Sequence, residues 1–178
     1  MKKEKLINKI INLELEMFQK VRTSQPSLCQ EHPHAFKLMR EMGFSVLSEE
    51  TLCSYLDDLI TAKRKKKNLL TEKYARMNNI IPPLKNNSII GDIVHIEKEW
   101  MKRLNQRYPN TIKGKITYFE NYLSCELETY SDKTLNLYFR DIKKAVESDL
   151  NIIEMRYEYL FRKLGYESIQ EKENSLKP

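Results

Sequence analysis

Residues 3–22 read KEKLINKIINLELEMFQKVR, and the spacing of their apolar side chains decides the fold class. Leu6, Ile7, Ile10, Ile11, Met17, Phe18 and Val21 recur at steps of three and four, the period of a helix with one buried face. The same period returns downstream. Pro33 can open a short helix through Phe36, Met39 and Met42, which Gly43 is expected to end. Ser48, followed by Glu49 and Glu50, is placed to cap Leu52, Tyr55, Leu56, Leu59 and Ile60. The pattern resumes at Leu69, Leu70, Tyr74 and Met77, as one long helix or as two joined near Lys67 and Asn68. Pro82 and Pro83 then impose a non-helical connector. Further blocks follow at about 88–107 and 115–130, from Ser131 through Val146, and from Asn151 to a stop at Gly165.

Only 4 Gly and 6 Pro occur in 178 residues, too few to punctuate the turns of a sandwich or barrel. The expectation is an all-α fold: a single-domain helical bundle of about six or seven helices over 1–166, with a polar, frayed tail over 167–178. No self-similarity recurs at a period of 20–50 residues and no linker divides the chain. No run reaches the roughly 18 apolar residues of a membrane span. After the basic start, Asn8, Lys9, Asn12, Glu14 and Glu16 interrupt any signal-peptide core. Cys29, Cys53 and Cys125 form an odd, widely spaced set, which suggests unpaired thiols in a reducing cytoplasm.

The most informative residues are ionisable groups inside the apolar stripes. Glu14 has Ile10 and Ile11 one turn before it and Met17 and Phe18 one turn after; Glu126 lies among Tyr122, Leu123 and Tyr130. Glu97 lies between Ile93 and Trp100, and Arg156 between Ile152 and Tyr159. Each would cost several kcal/mol if buried alone, so each either snorkels at a stripe edge or is paired around a polar pocket, as bundle-core sites are built. A metal or cofactor finds little support. Glu31 and His34 make the sole Glu-x-x-His, with Pro33 between them, and Cys29, Glu31, His32 and His34 match no usual zinc spacing. His95 falls among polar neighbours, and glycine-rich phosphate loops and nucleophile elbows are absent. The run from Lys63 to Lys67 and the net charge of +6 invite a nucleic-acid reading, but a solvated helix surface explains the run better.

Several strings carry a resemblance: Glu14-Leu15-Glu16-Met17-Phe18, Cys29-Gln30, Phe36 with Met39-Arg40, Ser54-Tyr55 with Asp58-Leu59, Asn68 before Glu72 to Met77, and Glu126 to Ser131. Their order resembles the bacterial family catalogued as domain of unknown function 4125, over Glu14 to Tyr166. The resemblance implies a cytoplasmic protein with no established activity, and adds Arg40, Tyr55, Asp58, Asn68, Glu72, Lys73 and Tyr74 to the candidates. Helical arithmetic and resemblance agree on Glu14 and Glu126.

The leading expectation is a small-molecule enzyme. Glu14 or Glu126 would act as general acid or base with its pKa raised by burial, and Tyr130 would donate a proton. Arg40 or Arg156 would hold an anionic or amino-acid-like ligand within a set that includes Glu97. The alternative is a non-enzymatic helical binding or regulatory module that meets an acidic partner or a nucleic acid through Lys63–Lys67.

Overall fold

A computed structural model describes residues 2–21 and 32–177, which form nine helices and no strand. These are α1 (Lys3–Phe18), α2 (Pro33–Ser45), α3 (Glu49–Arg64), α4 (Leu69–Met77), α5 (Ser88–Arg107), α6 (Ile116–Leu127), α7 (Asp132–Glu147), α8 (Ile152–Lys163) and α9 (Ile169–Ser175). One cluster of buried apolar residues extends from Leu6 to Ile169. Pro33 stands in the first turn of α2, and Ser48 and Ser131 cap α3 and α7 through the backbone N–H groups of Thr51 and Thr134.

The described residues form nine helices where six or seven were expected, and two further expectations need correction. Gly43 does not end α2, which runs on to Ser45 with Gly43 in ordinary helical backbone. A glycine so placed costs about 1 kcal/mol relative to alanine, and thus calls for another reason. Of the two alternatives for the block after Ser48, the structure has two helices joined near Lys67 and Asn68: Lys66 adopts φ 56° beyond the end of α3, and Asn68 caps α4. The supposed tail is ordered as α9, with Ile169 at 0% exposure. Its single apolar anchor leaves no periodicity to read. What holds it is Glu173, whose carboxylate accepts from the backbone N–H groups of Asn110 and Thr111 and from both side chains at 2.7–3.2 Å.

The order of elements conceals an internal repeat with an offset of 83 residues, longer than the 20–50 residues of a solenoid repeat. α1, α2, α3 and α4 correspond to α5, α6, α7 and α8. Ser48, Thr51, Leu52, Tyr55, Asp58 and Ala62 recur as Ser131, Thr134, Leu135, Tyr138, Asp141 and Ala145. The pairing of helices obeys the same relation. α1 packs on α2, α3 and α4 as α5 packs on α6, α7 and α8; across the halves, α3 packs on α7, α2 on α8 and α6 on α4.

Hydrogen bonds repeat too. Asp141 accepts from Ser48 N (2.9 Å) and Thr51 Oγ1 (2.6 Å) at the start of α3. Asp58 accepts from Ser131 N (3.0 Å) and Thr134 Oγ1 (2.7 Å) at the start of α7. Each helix therefore completes the other's N-terminal cap, which satisfies donors a helix start leaves open and places a carboxylate at the positive end of the dipole. Asn68 and Asn151 cap α4 and α8 and donate to the carbonyls of Met17 and Trp100, again corresponding positions. The two halves are thus related by an approximate twofold, with α3 and α7 facing each other across it.

Replacing Asp58 or Asp141 by alanine removes the acceptor for one backbone N–H and one hydroxyl. Each variant should lose about 1–3 kcal/mol of stability in urea unfolding. Changes below about 0.5 kcal/mol in both would show that the reciprocal caps do not hold the halves together.

Candidate functional site

The inward charges gather into two clusters, one that spans both halves and one within the second half. In the first, the Arg40 guanidinium from α2 lies between two carboxylates. Nε and Nη2 donate to Glu14 of α1 at 2.7 and 2.6 Å, and Nη1 and Nη2 donate to Glu126 of α6 at 3.0 Å each. The remaining Nη1 hydrogen goes to the Tyr122 hydroxyl at 3.3 Å. All five donors of Arg40 are then taken by the protein. Tyr55 of α3 donates to Glu14 (2.7 Å); Lys73 of α4 and Tyr130 donate to Glu126 (2.6 and 3.1 Å). Lys73 also lies 3.6 Å from the centre of the Tyr122 ring.

The second cluster is simpler. Arg156 of α8 donates through Nη1 and Nη2 to Glu97 of α5 (2.7 and 3.4 Å) and through Nη2 to the Tyr138 hydroxyl (2.7 Å). Tyr138 in turn donates to Glu97 at 2.5 Å. Arg156 Nε is buried and has no hydrogen-bond partner. The Tyr130 and Tyr138 rings meet edge to face, 6.3 Å between centres, and so join the clusters.

Burial pushes the Glu126 carboxyl up, but Arg40 and Lys73 outweigh it and hold the group well below the usual carboxylate range. An acid with a pKa raised by burial, the expectation from sequence, is therefore corrected at Glu126: the group is an ionised ion-pair member. Burial and the neighbouring carboxylates push Tyr55 and Tyr130 well above the ordinary tyrosine value, and burial raises Tyr74 to about 12. Such hydroxyls stay protonated and serve as donors.

A cavity of about 450 Å³ opens between α2 and α6. Arg40, Glu126, Tyr130, Tyr138 and Arg156 line it with Tyr74; Glu14, Glu97 and Lys73 stand behind the wall as partners. Phenylalanine, methionine, leucine and isoleucine side chains make up most of the rest, and exposed Met39 and Tyr118 form part of the lining.

Three candidates lie elsewhere. Asp58 caps α7, Asn68 caps α4, and Glu72 is partly exposed, 3.9 Å from Lys67. In the basic run, Lys63 is paired with Glu16, while Arg64, Lys65 and Lys66 are exposed at the C-terminal end of α3, where cations suit the dipole. Among the described residues no group of three or more His, Cys, Asp or Glu is disposed to hold a metal ion, and no helix is long and apolar enough to cross a membrane. Cys29 and Glu31 lie outside the described residues; His34 is exposed, and so is His95. Cys53 and Cys125 are free thiols. Sequence reasoning did not single out Tyr122 or Gly43, although a glycine among the apolar positions of α2 was the available signal.

The family model described as protein of unknown function (DUF4125) matches residues 4–174. The chain belongs to this family. No curated protein and no solved structure matches it. In this DUF4125 chain the matched segment includes both charge clusters and the whole cavity lining.

Glu126→Gln leaves Arg40 and Lys73 with one carboxylate between them. It should destabilise by about 3–5 kcal/mol, and Glu14→Gln by a similar amount. The folded-state pKa of Glu126 is depressed, so its contribution is present above the unfolded carboxylate value of about 4.3 and is lost as pH falls. Urea unfolding of the parent between pH 7 and pH 3 should show stability falling from about pH 5 downward, with a shallower fall in Glu126→Gln.

Proposed function

We propose that the protein is a small-molecule-binding protein whose ligand occupies the cavity between α2 and α6, with an apolar or aromatic body and a polar head at the charged floor. The observation that carries this reading is the cavity itself. At about 450 Å³, with an apolar lining and a few convergent polar groups, it has the composition of a ligand site. The head meets Arg156 rather than Arg40, because Arg40 has no donor left.

The electrostatics favour binding over acid–base turnover. An ionised Glu126 held by two cations is a weak base, and Tyr130 with its pKa raised is a weak acid. Enzymatic use of the pocket would therefore rest on orientation of a reactive ligand more than on these groups. The free thiols of Cys53 and Cys125 support a reducing, cytoplasmic setting.

A metabolite library screened by thermal shift tests the reading. A ligand at 100 times its Kd should add about 2.7 kcal/mol of stability. Gly43→Phe projects a ring into the cavity from a position where an added Cβ meets nothing within 4 Å, so it should fold and lose the shift. A ligand that stabilises parent and Gly43→Phe equally binds elsewhere and would overturn the proposal.

A further inference from the structure

The cavity lies across the approximate twofold. Phe36 and Phe119 line it as one pair 83 residues apart, and Tyr74 and Tyr157 as another. One corresponding pair differs in a way that points to a ligand: Glu126 on α6 corresponds to Gly43 on α2. Glu126 reaches across from α6 to bond Lys73 of α4. Lys73 corresponds to Arg156 of α8, and α2 packs on α8 as α6 packs on α4. Carried through the repeat, the carboxylate that serves Lys73 should come to Arg156 from position 43.

Position 43 has no side chain. Nothing lies within 4 Å of a Cβ built there, although the backbone would accept one. Arg156, at 8% exposure, meanwhile keeps a buried Nε–H without an acceptor. Gly43 and Arg156 both line the cavity. Arg156 and the open space at position 43 thus border one cavity, the one a cation with an unpaired N–H and the other the place of a missing carboxylate.

We propose that a ligand carboxylate takes that place, so that the cavity is a site for carboxylic acids with an apolar or aromatic body. This rests on the small-molecule reading above and names the chemistry of the ligand's head. Charge supports it. The cavity lining and its ion-pair partners hold the cations Arg40, Lys73, Lys115 and Arg156 against the carboxylates of Glu14, Glu97 and Glu126. The surplus cation is the exposed Lys115 at the start of α6, and bonds from a guanidinium to an ionised acceptor are the strong ones. The body then lies against the aromatic and methionine side chains between α2 and α6, which adapt to irregular apolar shapes.

Calorimetric titration with hexanoate, 4-phenylbutyrate and indole-3-acetate, each beside its primary amide, tests the head group, and two variants test the place. At least one acid should bind about ten-fold or more tightly than its amide. Gly43→Glu should bind no acid yet unfold at a temperature no lower than Gly43→Gln, since its own carboxylate fills the gap at Arg156. Equal binding of acids and amides overturns the carboxylate assignment while leaving the cavity a ligand site. A melting temperature of Gly43→Glu well below that of Gly43→Gln overturns it independently of which molecule is titrated. If no acid and no amide binds, the small-molecule reading falls with it.

Discussion

The guanidinium of Arg40 is the constraint on which the arrangement around the cavity depends. Its fork toward Glu14 ties α2 to α1 within one half, and its fork toward Glu126 ties α2 to α6 of the other. Lys73 then brings in α4 and Tyr55 brings in α3. Burying four charged groups costs several kcal/mol each in desolvation, and their mutual attraction at good geometry roughly offsets that cost. The network therefore specifies more than it stabilises. With every donor of Arg40 filled, α2 and α6 have one register relative to each other, and the cavity between them has one shape.

An internal twofold makes the meaning of that network visible, because the second half repeats its scaffold without repeating its chemistry. The Glu–Tyr pair is present on both sides, Glu14 with Tyr55 and Glu97 with Tyr138, and so is a cation at position 73 or 156. The bridging pair is not: Leu123 stands where Arg40 would, and Gly43 where Glu126 would. Loss of both members together keeps the second cluster free of an uncompensated buried charge, since Glu97 balances the charge of Arg156. One half is closed by protein groups and the other is left open beside a cation. The interior glycine of α2, unfavourable for the helix by itself, gains a reason on this account.

Much of this was legible in the sequence, and for a physical reason. A helix that buries one face must show it at steps of three and four, so Glu14, Glu97, Glu126 and Arg156 stood out as charges where apolar residues belonged. That arithmetic reports which face a residue occupies but not which helix lies opposite. The partition into two clusters, and the saturation of Arg40, follow from tertiary packing. Asp58 and Asn68 are polar for a different reason, since they satisfy open helix N-termini. Polarity near a buried face does not separate a capping residue from a ligand-facing one. α9 escaped because one buried isoleucine and a carboxylate bonded to a distant loop leave no periodic trace. Gly43 has the look of a stop signal because glycine usually acts as one, whereas here the absent side chain matters more than the backbone freedom.

The repeat was hidden for a related reason. Over α3 and α7 the matching residues are those whose job cannot be done by a neighbour: the Ser and Thr that start the helix, the Asp that caps its partner, the Tyr that reaches the buried Glu. Elsewhere the corresponding positions need only be apolar, and Ile, Val, Leu, Met and Trp substitute for one another, as between Ile11 and Val94 or Met17 and Trp100. Identity thus survives where geometry demands a particular hydrogen bond and fades where packing demands only volume. By that standard the pairs that changed character, Arg40 with Leu123 and Gly43 with Glu126, are neither equivalent in volume nor interchangeable in bonding. Both border the cavity between α2 and α6, so the divergence of the halves at these pairs bears on what that cavity holds rather than on how the chain folds.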